Sequence, residues 1–272
     1  MGTEVIRQLT EEEWILRRKK AELNSLEMKL AQRELELTTL RGELQSFQSR
    51  YLVAVGSRYW ELDDLEALIA EAEAALNPEN HTAQKKAEQA RAQAEESAKT
   101  ARNEQASKYN KKKFKPTEAL KKLYREIAKR IHPDLATDNE ERVLYQQLMA
   151  KANKAYQAGD EVGLQNILKQ GKKSIHQEHY DEIEEQLIRI GRQINQIKER
   201  LTIIELETEE IKKSSLYQLK QKVESAETKG INLLNEMIRY LEEQIIAARI
   251  RLDEVTKKGR KKAHATGETV SR

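Results

Sequence analysis

Two series of leucine and isoleucine, spaced at alternating steps of three and four, constrain this chain more than any other feature. In the first half, Leu23, Leu26, Leu30, Leu37, Leu40, Leu44, Phe47 and Tyr51 follow the rule, with Arg33 in the one inner position between Leu30 and Leu37. A seam of two positions in seven is too narrow to enclose a globular core. It must lie against another helix, in a partner chain or folded back from the same one. Near Val55 and Gly56 the step becomes four plus four, a stutter that unwinds a supercoil locally, and the series resumes at Leu62, Leu65, Ile69, Ala72 and Leu76. No Asn, Asp or Pro accompanies Gly56, which favours a continuous or kinked helix over a turn. Asn77-Pro78-Glu79-Asn80 then ends the arm, since proline removes a helical donor and steers its predecessor out of the helix. The second series runs through Ile183, Leu187, Ile190, Ile194, Ile197, Leu201, Ile204 and Ile211, with Thr208 inside it. It drifts at Ser214 and Ser215 and resumes after Gly230 as Leu234, Ile238, Leu241, Ile245, Ala248, Leu252 and Val255. That break either closes a helical hairpin within the chain or divides an intermolecular coiled coil.

Composition agrees with extended helix. Charged residues make up 35% of the chain and aromatics 5%, poor material for two compact cores, and strand-like runs bounded by turn residues are absent. The 49 basic and 46 acidic residues are interleaved to a net +3, so bulk attraction to nucleic acid or membrane is not implied. Without cysteine there is no disulfide framework, no thiolate catalysis and no cysteine-containing zinc site. No apolar leader and no bilayer-length apolar window is found, so a cytoplasmic protein is expected. The expected organisation is a tail at residues 1–8 and a coiled coil at 9–77. An Ala/charge-rich spacer, solvated helix or partly disordered, follows at 78–108. A helical module occupies 109–170, a second coiled coil or hairpin 175–256, and a basic disordered tail 257–272.

The central module carries the chemistry. Thr117, beside Pro116, is a plausible N-cap for a helix that places Leu120, Leu123, Tyr124, Ile127, Ala128 and Ile131 on one stripe and Lys121, Lys122, Arg125 and Lys129 on the other face. The helix stops at His132, because Pro133 disfavours helical geometry before it. After a short loop, Thr137 and Glu140 form a capping-box pattern for a second helix with Leu144, Leu148, Ala152, Ala155 and Tyr156 on its stripe, ended by Gly159. A further helix is expected at about Glu161 to Leu168.

With Tyr124, the basic face, His132-Pro133-Asp134 and Ala155-Tyr156 in this register, the stretch resembles a J domain, the DnaJ-type co-chaperone module. The resemblance covers about a fifth of the chain. It implies a small helical hairpin that binds a DnaK-type (heat-shock 70 kDa family) chaperone and stimulates its ATP hydrolysis. His132, Pro133, Asp134, Lys121, Lys122, Tyr124, Arg125 and Lys129 would be the chaperone-binding residues. His132 and Asp134 would then bias the partner's conformation and perform no acid-base step of their own. The family's first short helix is not recognisable before Pro116, where only Tyr109 and Phe114 offer apolar anchors. The missing brace is therefore expected from that segment or from one of the arms. Glu126 stands where the family commonly has a base, and Leu135 replaces the frequent basic residue after His-Pro-Asp.

The expected fold is all-α, a J-domain-like hairpin module between two long coiled-coil arms. Neither cofactor nor metal is expected. His176 and His179, three apart, lack a third ligand spaced with them. An enzyme is not expected, because there is no phosphate-binding glycine loop and no nucleophile paired with a base. The arms are expected to oligomerise or to recruit a client or partner. The alternative function is a structural coiled-coil scaffold with a degenerate J-like module. Lys257, Lys258, Arg260, Lys261 and Lys262 form a basic run that reads as a solvated end, with nucleic acid or anionic lipid the lesser option.

Overall fold

The structure, a computed structural model, describes residues 10–106, 114–136, 138–173 and 182–265. His176, His179, Tyr109, Thr137 and the expected tail at residues 1–8 lie outside them. Among the described residues the fold is all-α, and no helix is long and apolar enough to cross a membrane. The chain divides into two compact units, one comprising Met1–Glu43 with Phe114–Ser214 and the other Leu44–Lys113 with Ser215–Arg272.

The first unit is built on α1 (Glu11–Tyr51), which belongs to it as far as Glu43, with α4 (Glu118–Ile131), α5 (Asn139–Ala158), α6 (Glu161–Lys173) and α7 (Ile183–Lys213). Thr117 caps α4 as expected, its hydroxyl accepting from the Leu120 amide at 3.0 Å and donating to Glu161 of α6 at 2.7 Å. Leu120, Tyr124, Ile127, Ala128 and Ile131 are buried against Tyr145, Leu148, Met149, Ala152 and Tyr156 of α5 and Leu164 and Ile167 of α6. Two expectations shift by one residue. Asp138 caps α5 by accepting from the Glu141 amide at 2.8 Å, because its carboxylate serves an orphan N–H at the positive end of a helix better than a hydroxyl. On the inner stripe Tyr145 replaces Leu144, which is exposed; its phenol can be buried because the hydroxyl donates to Glu141. Gly159 ends α5 at φ 73°, in the left-handed region where glycine carries no Cβ penalty.

The brace for this hairpin comes from both sources named above. Ala31 and Leu35 of α1 join its core, and Phe114 packs edge-on to the Tyr156 ring with centroids 5.7 Å apart. Gly42 permits that contact, since a Cβ there would stand 2.8 Å from the Phe114 ring. On its neighbouring face α1 meets α7, where Leu30, Leu37, Ile197 and Ile204 form a second buried cluster with Leu23, Leu26, Leu201 and Ile211 around it. Ion pairs step from Glu22–Lys198 through Glu34–Arg200 to Arg41–Glu207, so the two helices run in the same direction. These parts of the two seams thus cover one another within one chain.

In the second unit a π-helical turn at Leu52–Gly56 continues α1 into α2 (Ser57–Leu76), with right-handed backbone at both its ends. One inserted residue is what the stutter at Val55 and Gly56 required. After the Asn77–Asn80 turn, α3 (His81–Ala106) folds back along α2, and Arg91 forks onto Glu71 at 2.7 and 2.9 Å and reaches Asp64 at 3.1 Å. The helix expected in the spacer at 78–108 is present over His81–Ala106, but it packs on α2 and is not a solvated helix. Ala67, Ala87 and Ala94 are buried, because alanines let two helices approach without large side chains between them. Helix α8 (Ser215–Thr228) turns at Gly230 into α9 (Leu233–Ala265), which also packs on α2. Leu241, Ile245 and Val255 are its buried residues, and Arg249 and Arg251 pair with Glu61 and Glu73. The basic run from Lys257 to Lys262 lies in the last turns of this helix, so that part of the expected disordered tail is helical; residues 266–272 of it lie outside the described residues. Lys262 donates to the Leu76 carbonyl, capping α2, and Lys257 pairs with Asp253.

Candidate functional site

The residues singled out in the sequence fall on one hairpin but in three different environments. Lys122, Arg125 and Lys129 project from α4 into solvent, while Lys121 is half-buried and bonded to Glu118 at 2.8 Å. The face is bordered by α1, with Gln32 accepting a long 3.4 Å hydrogen bond from Arg125. Burial pushes the Glu27 carboxyl above its usual value, and the nearby charge of Lys129 opposes that shift. Glu126, the acid among the bases, forms an i,i+4 pair with Arg130 and so spends its charge within its own helix.

Tyr124 occupies the second environment, the core. Its ring lies 4.9 Å from that of Tyr156, and its hydroxyl meets Thr38 of α1 at 2.9 Å and donates to Asn153 of α5 at 2.6 Å. Tyr156 makes the matching bond to Thr39 at 2.8 Å. Burial raises the pKa of the Tyr124 phenol well above the ordinary range, with the Glu34 charge adding to it. Tyr124 therefore positions the hairpin on α1 and offers no surface to a partner.

The loop is the third environment. His132 leaves the helix at ψ 137°, as a residue before proline should, and Pro133–Leu135 form a single 3-10 turn. The ring does not face solvent. His132 is 4% exposed, with Nδ1 accepting from the Asp134 amide at 3.2 Å and Nε2 3.0 Å from Oε1 of Glu34 on α1. Nδ1 is thus used as an acceptor, which puts the proton on Nε2 as the donor to Glu34. The same Glu34 oxygen accepts from Nε of Arg200 on α7 at 2.8 Å, and Arg200 continues to Glu207, which also pairs with Arg41. Burial alone would raise the Glu34 carboxyl, but the hydrogen bonds from His132 and Arg200 outweigh it and hold the pKa below its usual value. Beside this network Leu135 packs into the apolar cluster of α1 and α7, and its carbonyl accepts from Gln193 at 3.1 Å. Asp134 keeps partial exposure, 3.7 Å from Arg142 of α5.

The chain matches no protein-family model, no curated protein and no solved structure. The geometry is the whole of the guide to its chemistry. Among the described residues no group of three or more His, Asp or Glu is placed to hold a metal ion. The hairpin presents a basic face, while at its tip His132 is buried and Asp134 is only partly exposed.

Glu34, Arg200, Thr38, Asn153 and Gln193 were not singled out in the sequence. Arg33, read as the inner residue between Leu30 and Leu37, is exposed and pairs with Glu36; the inner residue is Glu34. Its signal was present, since Glu34 follows Leu30 by four and precedes Leu37 by three. Arg200 sits in the mirrored place between Ile197 and Ile204. Two opposite charges on the inner stripes of two seams are a reason to pair those seams with one another.

Proposed function

We propose that this chain is a non-enzymatic J-domain-type co-chaperone, acting in the cytoplasm. It engages the ATPase domain of a DnaK-type chaperone through α4 and the His132-Pro133-Asp134 loop and accelerates ATP hydrolysis there. The observation that carries the reading is the hairpin itself: the tripeptide sits at the turn between two helices packed through Tyr124 and Tyr156, below an exposed basic face of Lys122, Arg125 and Lys129. Such a face is drawn to an acidic surface by long-range attraction, and the tip is then delivered in one orientation. Helices α1, α2 and α9 recruit the client or partner. Single-turnover ATP hydrolysis by the chaperone, measured with wild type and with His132→Gln, tests this. Stimulation by wild type that is lost in the variant is the expected result, and equal rates with both proteins overturn the reading.

A second reading is favoured by the burial of His132. In it the module is a degenerate J-like element of a helical scaffold, and the Glu34–His132–Arg200 cluster serves only to join helices. It predicts that His132→Gln destabilises the unit and changes no chaperone activity, because there is none.

A further inference from the structure

We infer that the His-Pro-Asp loop is held shut by the chain's own α1 and α7, so that chaperone stimulation requires release of this clasp. The inference rests on the co-chaperone reading and adds its regulation. Within one hairpin the basic face of α4 is open and the tip is closed. Three contacts close it, and none is local to the loop. Glu34 of α1 takes the His132 Nε2–H, Arg200 of α7 fixes Glu34, and Leu135 is seated among Leu30, Leu37, Ile197 and Ile204 with its carbonyl bonded to Gln193. The residue after Asp134 is thus apolar for a physical reason: a lysine or arginine there would have to enter that cluster.

A partner that needs the imidazole can form its complex only with molecules whose clasp is open. Its apparent affinity is reduced by the open fraction. The open basic face allows a first encounter through Lys122, Arg125 and Lys129, and the binding energy gained there works against the clasp. Anything that spreads α1 from α7 then acts as an activator. The balance is weighted toward the closed form by charge-assisted hydrogen bonds, each strong enough to shift an equilibrium about tenfold or more when removed.

The full chain is treated with diethyl pyrocarbonate, and carbethoxylation of His132 is followed by peptide mass spectrometry, with exposed His81 as the internal reference. Wild type is compared with Arg200→Gln and Leu135→Lys, two independent ways of loosening the clasp. Circular dichroism checks that the helices persist, and the variant that keeps them is the one read. His132 in wild type should react about tenfold slower than His81 or less, and in a loosened variant several-fold faster than in wild type. The same variant should raise single-turnover hydrolysis by a DnaK-type chaperone several-fold over wild type, and adding His132→Gln to it should abolish that gain. Labelling of wild-type His132 at the His81 rate overturns the clasp, as does full stimulation by wild type that loosening does not increase. If neither wild type nor the loosened variants stimulate at all, the co-chaperone reading itself falls, an outcome distinct from failure of the clasp alone.

Discussion

In the unit containing α4–α6 the helices meet across large side chains and buried polar groups, whereas in the other unit α3 meets α2 across alanines with charged residues at the rim. Tyr124, Thr38, Asn153, His132 and Glu34 each have bonds that a one-turn slide of α1 would break. The Ala87 and Ala94 stripe would survive such a slide, since alanine presents nearly the same surface at every turn. Buried polar groups left unpaired are costly, so the first unit has one register and a large penalty for leaving it. The second gains close packing with less positional specificity. A loop whose exposure matters belongs on the first kind of frame.

The contrast is greatest in the core. Ile127 is fully buried among α4, α5 and α6, and Ile127→Ala should cost about 2–5 kcal/mol, through lost transfer energy and the cavity left behind. Urea unfolding followed by peptide-resolved hydrogen exchange should show the loss in α4–α6 and leave α2–α3 protection nearly unchanged. Equal loss in both would mean that the two units unfold as one and that their interfaces cannot be compared separately.

Next in size is the polar contact that fixes α1 on the hairpin. Tyr124→Phe keeps the ring in place beside Tyr156 but removes the phenol from the Thr38–Tyr124–Asn153 triangle, leaving only the long 3.4 Å bond that the Thr38 hydroxyl donates to Asn153, for about 1–3 kcal/mol. Thr38→Val in the same background should cost less than it does in wild type, because the shorter of the two bonds it removes is already gone. Additive costs in that double-mutant cycle would show that the bond contributes nothing to holding the register.

How much of this was readable in advance follows from range. The caps, the stop at His132 and the α4 stripe depend on neighbours within one or two turns, and Thr117, Pro133 and Tyr124 sit where local spacing put them. The α2–α3 packing was not legible, because an alanine stripe has little amphipathic contrast. The closure of the loop was hidden for another reason. It joins residues 34, 132, 135 and 200, and nothing local to His132 signals a carboxylate arriving from ninety-eight positions away. The one accessible sign was the misfit of Glu34 and Arg200 on otherwise apolar stripes.

Glu34 also separates the units by pH. Its folded pKa lies below the ordinary 4.5, so the stability it contributes is fully present above that value and is lost as pH falls through the lower folded one. Acid titration of wild type and Glu34→Gln should show the variant less stable at neutral pH, with the difference shrinking below about pH 4.5. A gap that stays constant down to acid unfolding would mean that the charge of Glu34 is immaterial and only its hydrogen bonds count.

The smallest effect is expected where the ion pairing looks richest. Arg91 of α3 binds both oxygens of Glu71 and reaches Asp64, yet its side chain is 35% exposed and those of its partners 42% and 44%. The hydrogen bonds from Arg91 lower the Glu71 pKa, but at that exposure water and salt screen most of the attraction, and ordering a long side chain offsets part of the rest. Arg91→Ala should therefore cost under about 1 kcal/mol in α2–α3 hydrogen exchange, and less again at high salt. A cost approaching that of Ile127→Ala would reverse the comparison. It would mean that the alanine stripe only permits α3 to approach α2, and that the rim charges hold it there.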